Sequence, residues 1–88
     1  MRTIWKAEVY FGGSVVNMPE GARIVHFAAQ GDQEPPRFFV WFECDPSKFT
    51  QHRHLYIIGT GRDIVDGSVY VGTTQVPPYV WHCYEVKA

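Results

Sequence analysis

Apolar and polar residues alternate with a period of two along most of this chain, the pattern of strands with one wet face. Trp5, Ala7, Val9 and Phe11 alternate with Lys6, Glu8 and Tyr10, predicting a strand over 4–11. Gly12-Gly13 offers a tight reversal into Val15, Val16 and Met18, so the first two strands are expected to pair as a hairpin. Pro19-Glu20-Gly21 reads as a type II turn. A third strand follows over 23–29, with Ile24, His26 and Ala28 on one face and Val25, Phe27 and Ala29 on the other. Residues 30–36 are polar and proline-rich and read as a loop.

Segment 37–44 is apolar on both faces and is expected to be a central strand, ended by Asp45-Pro46-Ser47. Over 52–59, His52, His54, Tyr56 and Ile58 share one side, and Arg53, Leu55 and Ile57 the other. Two turns around 63–65 lead to a brief strand, Val69 to Val71. Residues 72–78 are expected as a loop because Pro77-Pro78 cannot donate to a ladder. The last strand, 79–86, alternates Trp81, Cys83 and Glu85 with Val80, His82 and Tyr84.

Composition supports the same reading. One leucine, Leu55, stands against eleven Val, five Ile and fourteen aromatics, so β-formers replace the residues that lose least in a helix. The expectation is an all-β, small antiparallel sandwich or partly open barrel of about seven short strands, a single β-rich domain over 1–88. A chain of this length hides roughly 60–65% of its unfolded surface, so one modest core must hold it together. Eight Lys+Arg balance nine Asp+Glu, which argues against a polyanion-coating role and makes nucleic acid an unfavoured partner. No apolar run is long enough for a membrane-spanning helix, and the first residues do not resemble a secretory signal, so an intracellular setting is expected. Cys44 and Cys83 are then expected as reduced, buried thiols.

Candidate chemistry is sparse. Gly59-Thr60-Gly61-Arg62 places turn amides, a hydroxyl and a guanidinium together, which can hold a phosphate or carboxylate, but the further glycines and following helix of a phosphate fingerprint are missing. His52 and His54 share a face without the three or four convergent donors of a zinc site, so neither metal nor other cofactor is expected. No nucleophile sits beside an evident base, and no catalytic residues are assigned. Aromatic surface is the remaining signal. If Phe38, Val40 and Phe42 fill the core, Phe39 and Trp41 emerge opposite, where Tyr56 and Tyr84 or Trp81 are expected to join them, edged by Arg37, Arg53 and Arg62. The candidate binding residues are therefore Phe39, Trp41, Arg53, His54, Tyr56, Gly59, Thr60, Gly61, Arg62 and Trp81. Such a patch also suits a homodimer or higher homo-oligomer contact.

Several segments together resemble a family of small proteins of tailed phages and prophages to which no activity is assigned. They are Met1-Arg2-Thr3-Ile4-Trp5-Lys6, Met18-Pro19-Glu20-Gly21-Ala22, Ile58-Gly59-Thr60-Gly61, Tyr70-Val71-Gly72-Thr73 and Val80-Trp81-His82-Cys83-Tyr84-Glu85. The resemblance runs over nearly the whole chain in matching order and departs at 10–14 and 32–37. It implies the cytoplasm of an infected bacterium and a non-enzymatic protein that neutralises a host factor or defence component by docking on a host protein. Sequestration of a small anionic, nucleotide-like signal in an aromatic and arginine pocket is the alternative. A minor structural or assembly protein of the virion is a third reading.

Overall fold

A computed structural model describes residues 1–86. Seven strands follow one another: β1 (Thr3–Val9), β2 (Ser14–Pro19), β3 (Arg23–Ala29), β4 (Phe38–Cys44), β5 (Thr50–Gly59), β6 (Ser68–Val76) and β7 (Tyr79–Val86). They form two antiparallel sheets, ordered β1-β4-β3 and β2-β5-β7-β6, packed as an all-β sandwich that does not close into a barrel. The doubly apolar β4 is the central strand of the first sheet, as its pattern predicts.

The inner faces meet in one cluster. Phe38, Val40, Phe42 and Cys44 from β4 pack with Val9, Phe27, Val16 and Met18, and Leu55, Ile57 and Cys83 close the other side. Burying each larger aliphatic or ring contributes on the order of 1.5–3 kcal/mol, the main term holding so small a fold together. At the margin of this core, the Arg53 guanidinium makes a paired contact with the Glu85 carboxylate, Nη2 to Oε1 being 2.8 Å, while Nη1 donates to the Ala22 carbonyl at 2.8 Å. Only 14% of the Arg53 side chain and 6% of Glu85 are exposed, so the pair ties β5 and β7 to the turn before β3.

Three expectations are corrected. Gly12-Gly13 does not close a hairpin: β1 pairs with β4 and β2 with β5, in different sheets. Val9, Val16 and Met18 all need burial, and placing the two strands across the core rather than side by side buries all three. In β3 the register shifts between Ile24 and His26, so Val25 is taken up in a bulge and Ile24 joins Phe27 on the inner side rather than His26. Finally, β6 is no three-residue strand: it pairs with β7 from Ser68 to Val76, with a second register shift between Tyr70 and Gly72. The prolines occupy the two-residue turn beyond the last rung, where no ladder donor is required.

The sheets approach most closely where β3 lies along β6. The Ala29 amide donates to Thr74 Oγ1 at 3.3 Å, and Gly72 sits against Phe27. A Cβ on Gly72 would lie 3.1 Å from the Phe27 Cβ, so this junction needs glycine for space rather than for backbone freedom. Gly72→Val should therefore cost about 1–3 kcal/mol through overpacking, read as a lower urea midpoint with an unchanged slope.

Cys44 and Cys83 are free and buried. Burial first, and the Glu85 charge second, push the Cys83 thiol up to about 12. Its folded value lies above its unfolded one, so this contribution to stability is complete below about pH 9 and is lost between pH 9 and 12. Thiol reagents at about pH 8 should leave the folded protein unmodified and titrate both cysteines after denaturation, because both sulfurs are buried and only an accessible thiolate attacks.

Candidate functional site

The sandwich distributes the ten candidate residues over four places. Phe39 and Trp41 lie on the outer face of the first sheet, beside Lys6 of β1 and His26 of β3 in the ladder. This face is covered by its own side chains. Lys6 Nζ sits 4.7 Å above the Phe39 ring and 6.0 Å from that of Trp41, and it donates to Gln30 at 2.9 Å. Arg37 lies 5.3 Å from the Phe39 ring while its fork grips Glu8 at 2.9 and 2.7 Å. Those hydrogen bonds hold the Glu8 carboxyl below the ordinary carboxylate range and the Arg37 guanidinium above its usual one. Phe39 is 9% exposed and Trp41 half-buried, so neither is a free ring.

Tyr56 does not join them. It stands on the outer face of the second sheet, in one row with Tyr84 and Tyr70, and His54 lies on the same side of β5. Arg53, of opposite parity, is committed to Glu85 and Ala22. The expected single aromatic face edged by three arginines is thus divided between opposite sides of the molecule by strand alternation.

The remaining five candidates, Gly59, Thr60, Gly61, Arg62 and Trp81, do converge. Gly59-Thr60-Gly61-Arg62 forms a turn closed by the Arg62 amide donating to the Gly59 carbonyl at 3.2 Å, with Gly61 at φ 90°, a conformation that favours glycine. Alongside it the Pro77-Pro78 turn brings up Tyr79, Val80 and Trp81. Gly59, Thr60, Arg62, Pro78, Tyr79, Val80 and Trp81 together line a concavity of about 510 Å³, within the range of small-molecule sites. Arg62 makes no ion pair among the described residues, in contrast to Arg53 and Arg37.

Trp81 links this hollow to the core. Its ring meets Phe11 edge-on at 5.1 Å and Phe38 at 6.1 Å, and the Tyr79 ring lies 5.9 Å away, tilted by 45°. Its indole Nε1 is buried without a hydrogen-bond partner, a state that costs about 1–3 kcal/mol unless an acceptor arrives. Phe11 also packs edge-on with Phe38 at 5.2 Å, and both help line a neighbouring hollow of about 370 Å³ beside Glu8, Gln33 and Pro35. Tyr79 and Phe11, exposed to 63% and 45%, were not among the sequence candidates. Each adjoins a Pro-Pro or Gly-Gly turn, and a ring beside a turn has no facing strand to cover it.

A chain of side-chain hydrogen bonds approaches the hollow across the second sheet. The hydroxyls of Tyr70 and Thr73 are 2.6 Å apart, Thr73 Oγ1 lies 3.0 Å from His82 Nδ1, and His82 Nε2 lies 2.8 Å from Thr60 Oγ1. Among the described residues no group of three or more His, Cys, Asp or Glu side chains could hold a metal ion.

The whole chain, residues 1–88, matches the family DUF7352, described as a domain of unknown function, and the protein belongs to that family. No curated protein and no solved structure matches it. The two rings of the hollow differ in what they support. Tyr79→Ala should shift stability by less than about 1 kcal/mol, whereas Trp81→Ala should cost on the order of 3 kcal/mol because it opens the Phe11–Phe38 contact. Paired urea titrations check this, and equal losses would misplace the boundary between site and core.

Proposed function

We propose that this member of the family is a non-catalytic binding protein that holds a small anionic, ring-bearing ligand in the hollow between the 59–62 turn and Tyr79–Trp81. The carrying observation is the juxtaposition of Arg62, a guanidinium with no acidic partner among the described residues, with the exposed Tyr79 ring around one concavity. The hollow's polar and charged side chains within reach of a ligand are the Arg62 guanidinium and the Thr60 and Tyr79 hydroxyls, which can donate, with no carboxylate among its lining residues. A donor-rich site of that kind selects negative charge, and Tyr79 offers a face on which a flat ring can stack.

Thr60, His82 and Thr73 have the connectivity of a nucleophile, a base and an orienting group. The third position is a hydroxyl, however, and brings no negative charge to stabilise an imidazolium in the way a carboxylate does. That favours binding over acyl transfer. Docking on a host protein through Phe39 and Trp41 has less to draw on, since Lys6 and Arg37 already cover those rings. In the phage-like setting that the sequence resembles, capture of a nucleotide-like signal would neutralise a host defence by lowering its free concentration in the cytoplasm.

Mass spectrometry of small molecules released by heat from protein isolated from infected cells is the direct test. The wild-type protein should release an ultraviolet-absorbing anion that Arg62→Ala and Tyr79→Ala protein does not, with both variants folded. Release of nothing by the wild type, or of the same compound by all three proteins, would overturn the reading.

A further inference from the structure

We infer that His82, outside the hollow, is a positioning residue that sets whether the Thr60 hydroxyl donates or accepts, and so makes ligand capture proton-linked. This rests on the proposed binding of an anion in the hollow. His82 is half-buried and both its ring nitrogens are engaged, by Thr73 Oγ1 at 3.0 Å and Thr60 Oγ1 at 2.8 Å. None of these contacts belongs to the core or to a ladder. Four side chains from β6, β7 and the β5–β6 connection are ordered in a line that ends at a residue lining the concavity.

The polarity of the line is set by proton counting. A neutral imidazole carries one N–H. With the proton on Nδ1, the ring donates to Thr73, and Thr60 must donate its own hydrogen to Nε2, which leaves only lone pairs for a ligand; with it on Nε2, the ring donates to Thr60 and accepts from Thr73, and the Thr60 hydrogen is free. With both nitrogens protonated, the ring donates to both threonines. Thr73 then passes its hydrogen to the Tyr70 oxygen, 2.6 Å away, and the Thr60 hydrogen is released. That hydrogen can serve the Val80 carbonyl, 3.5 Å distant, or an anion in the hollow. An anionic ligand prefers a ring that carries the Nε2 proton, and of the two such forms it prefers the imidazolium, whose positive charge lies one hydroxyl away from the hollow. It therefore draws a proton onto His82, and by linkage protonation of His82 tightens the ligand.

The other ionisable groups near the line are Tyr70 on β6, Tyr56 on β5, Tyr84 on β7, and Arg62 and Asp63 on the connection. Phenols, guanidinium groups and carboxylates as classes ionise outside the interval between about pH 5.5 and 8.5. His52 and His54, exposed on the same side of β5, are the other imidazoles on this face, and substitution of His82 separates it from them.

The experiment is calorimetric titration of the full chain with 3′,5′-cyclic AMP, whose phosphodiester carries one fixed charge across this interval, with 5′-AMP as a second probe. Affinity for cyclic AMP should rise roughly tenfold from pH 8.5 to 5.5, with proton uptake seen as buffer-dependent heat. His82→Gln, which keeps a donor and an acceptor, should bind with a flat pH profile, and Thr60→Val, which leaves His82 bound to Thr73 but removes the hydroxyl between it and the hollow, with a shallower one than the wild type. Arg62→Ala should weaken binding at every pH without changing the slope. A flat wild-type profile, or a slope that survives in His82→Gln, would overturn the role of His82 while leaving the ligand reading intact. Failure of both nucleotides to bind at any pH would remove the ligand reading and this inference with it.

Discussion

Eighty-eight residues make one core, and the constraint on this fold is that two sheets must satisfy it from their inner faces alone. The strand β4 carries most of that demand, with Phe38, Val40, Phe42 and Cys44 all turned inward. Its opposite side chains are not covered by a further layer among the described residues, because all seven strands belong to the two sheets. Lys6 and Arg37 solve this locally by lying over Phe39 and Trp41, keeping their charges in water while their stems cover the rings. Where strands end, no such neighbour exists. Rings carried to the ends of β1 and β7 by Gly-Gly and Pro-Pro turns stay partly open, and Phe11 and Tyr79 border the two hollows.

The three arginines that the sequence groups together show how environment, and not residue type, assigns their tasks. Arg53 sits where removing either partner would strand a charge in the core, so its bond to Glu85 is architectural. Arg37 is exposed and bidentate, and its pairing with Glu8 clamps the first sheet's outer face with little expected effect on stability in water. Arg62 lies on a turn whose backbone is already satisfied by its own hydrogen bond, and no carboxylate among the described residues claims it. Of the three, it alone retains its full capacity for an anion.

Strand existence was legible because period two is a local property: a strand stands at each of the seven expected places, although β6 runs on through residues expected as a loop. Pairing was not legible, because Gly12-Gly13 fits a hairpin as well as a crossing between sheets, and only the joint burial of Val9, Val16 and Met18 decides. Bulges hid for a related reason. One extra residue at Val25 or near Val71 leaves composition unchanged and reverses the parity of every later residue in its strand. The aromatic face failed as a unit because side-chain parity was followed within strands but not between sheets, so Tyr56 and Phe39 came out on opposite sides. Gly59-Thr60-Gly61-Arg62 was legible as a turn, since four adjacent residues need no topology to be neighbours.

His82 marks the limit of reading one residue at a time. In the sequence it is an isolated imidazole beside a buried cysteine, and the ordinary expectation for it is solvent. The antiparallel register sets it opposite Thr73 on β6 and, on β5, opposite Ile58, two residues before Thr60, so hydroxyls flank both ring nitrogens. A lone imidazole between two hydroxyls is easily reversed in polarity, because hydroxyls donate or accept with equal readiness and impose no charge. A carboxylate at Thr73 would lock one tautomer and attract the proton permanently. With threonine there, the direction of the whole line is left to whatever occupies the hollow at its far end, which is the property a reporter of bound anion requires and a catalytic base does not.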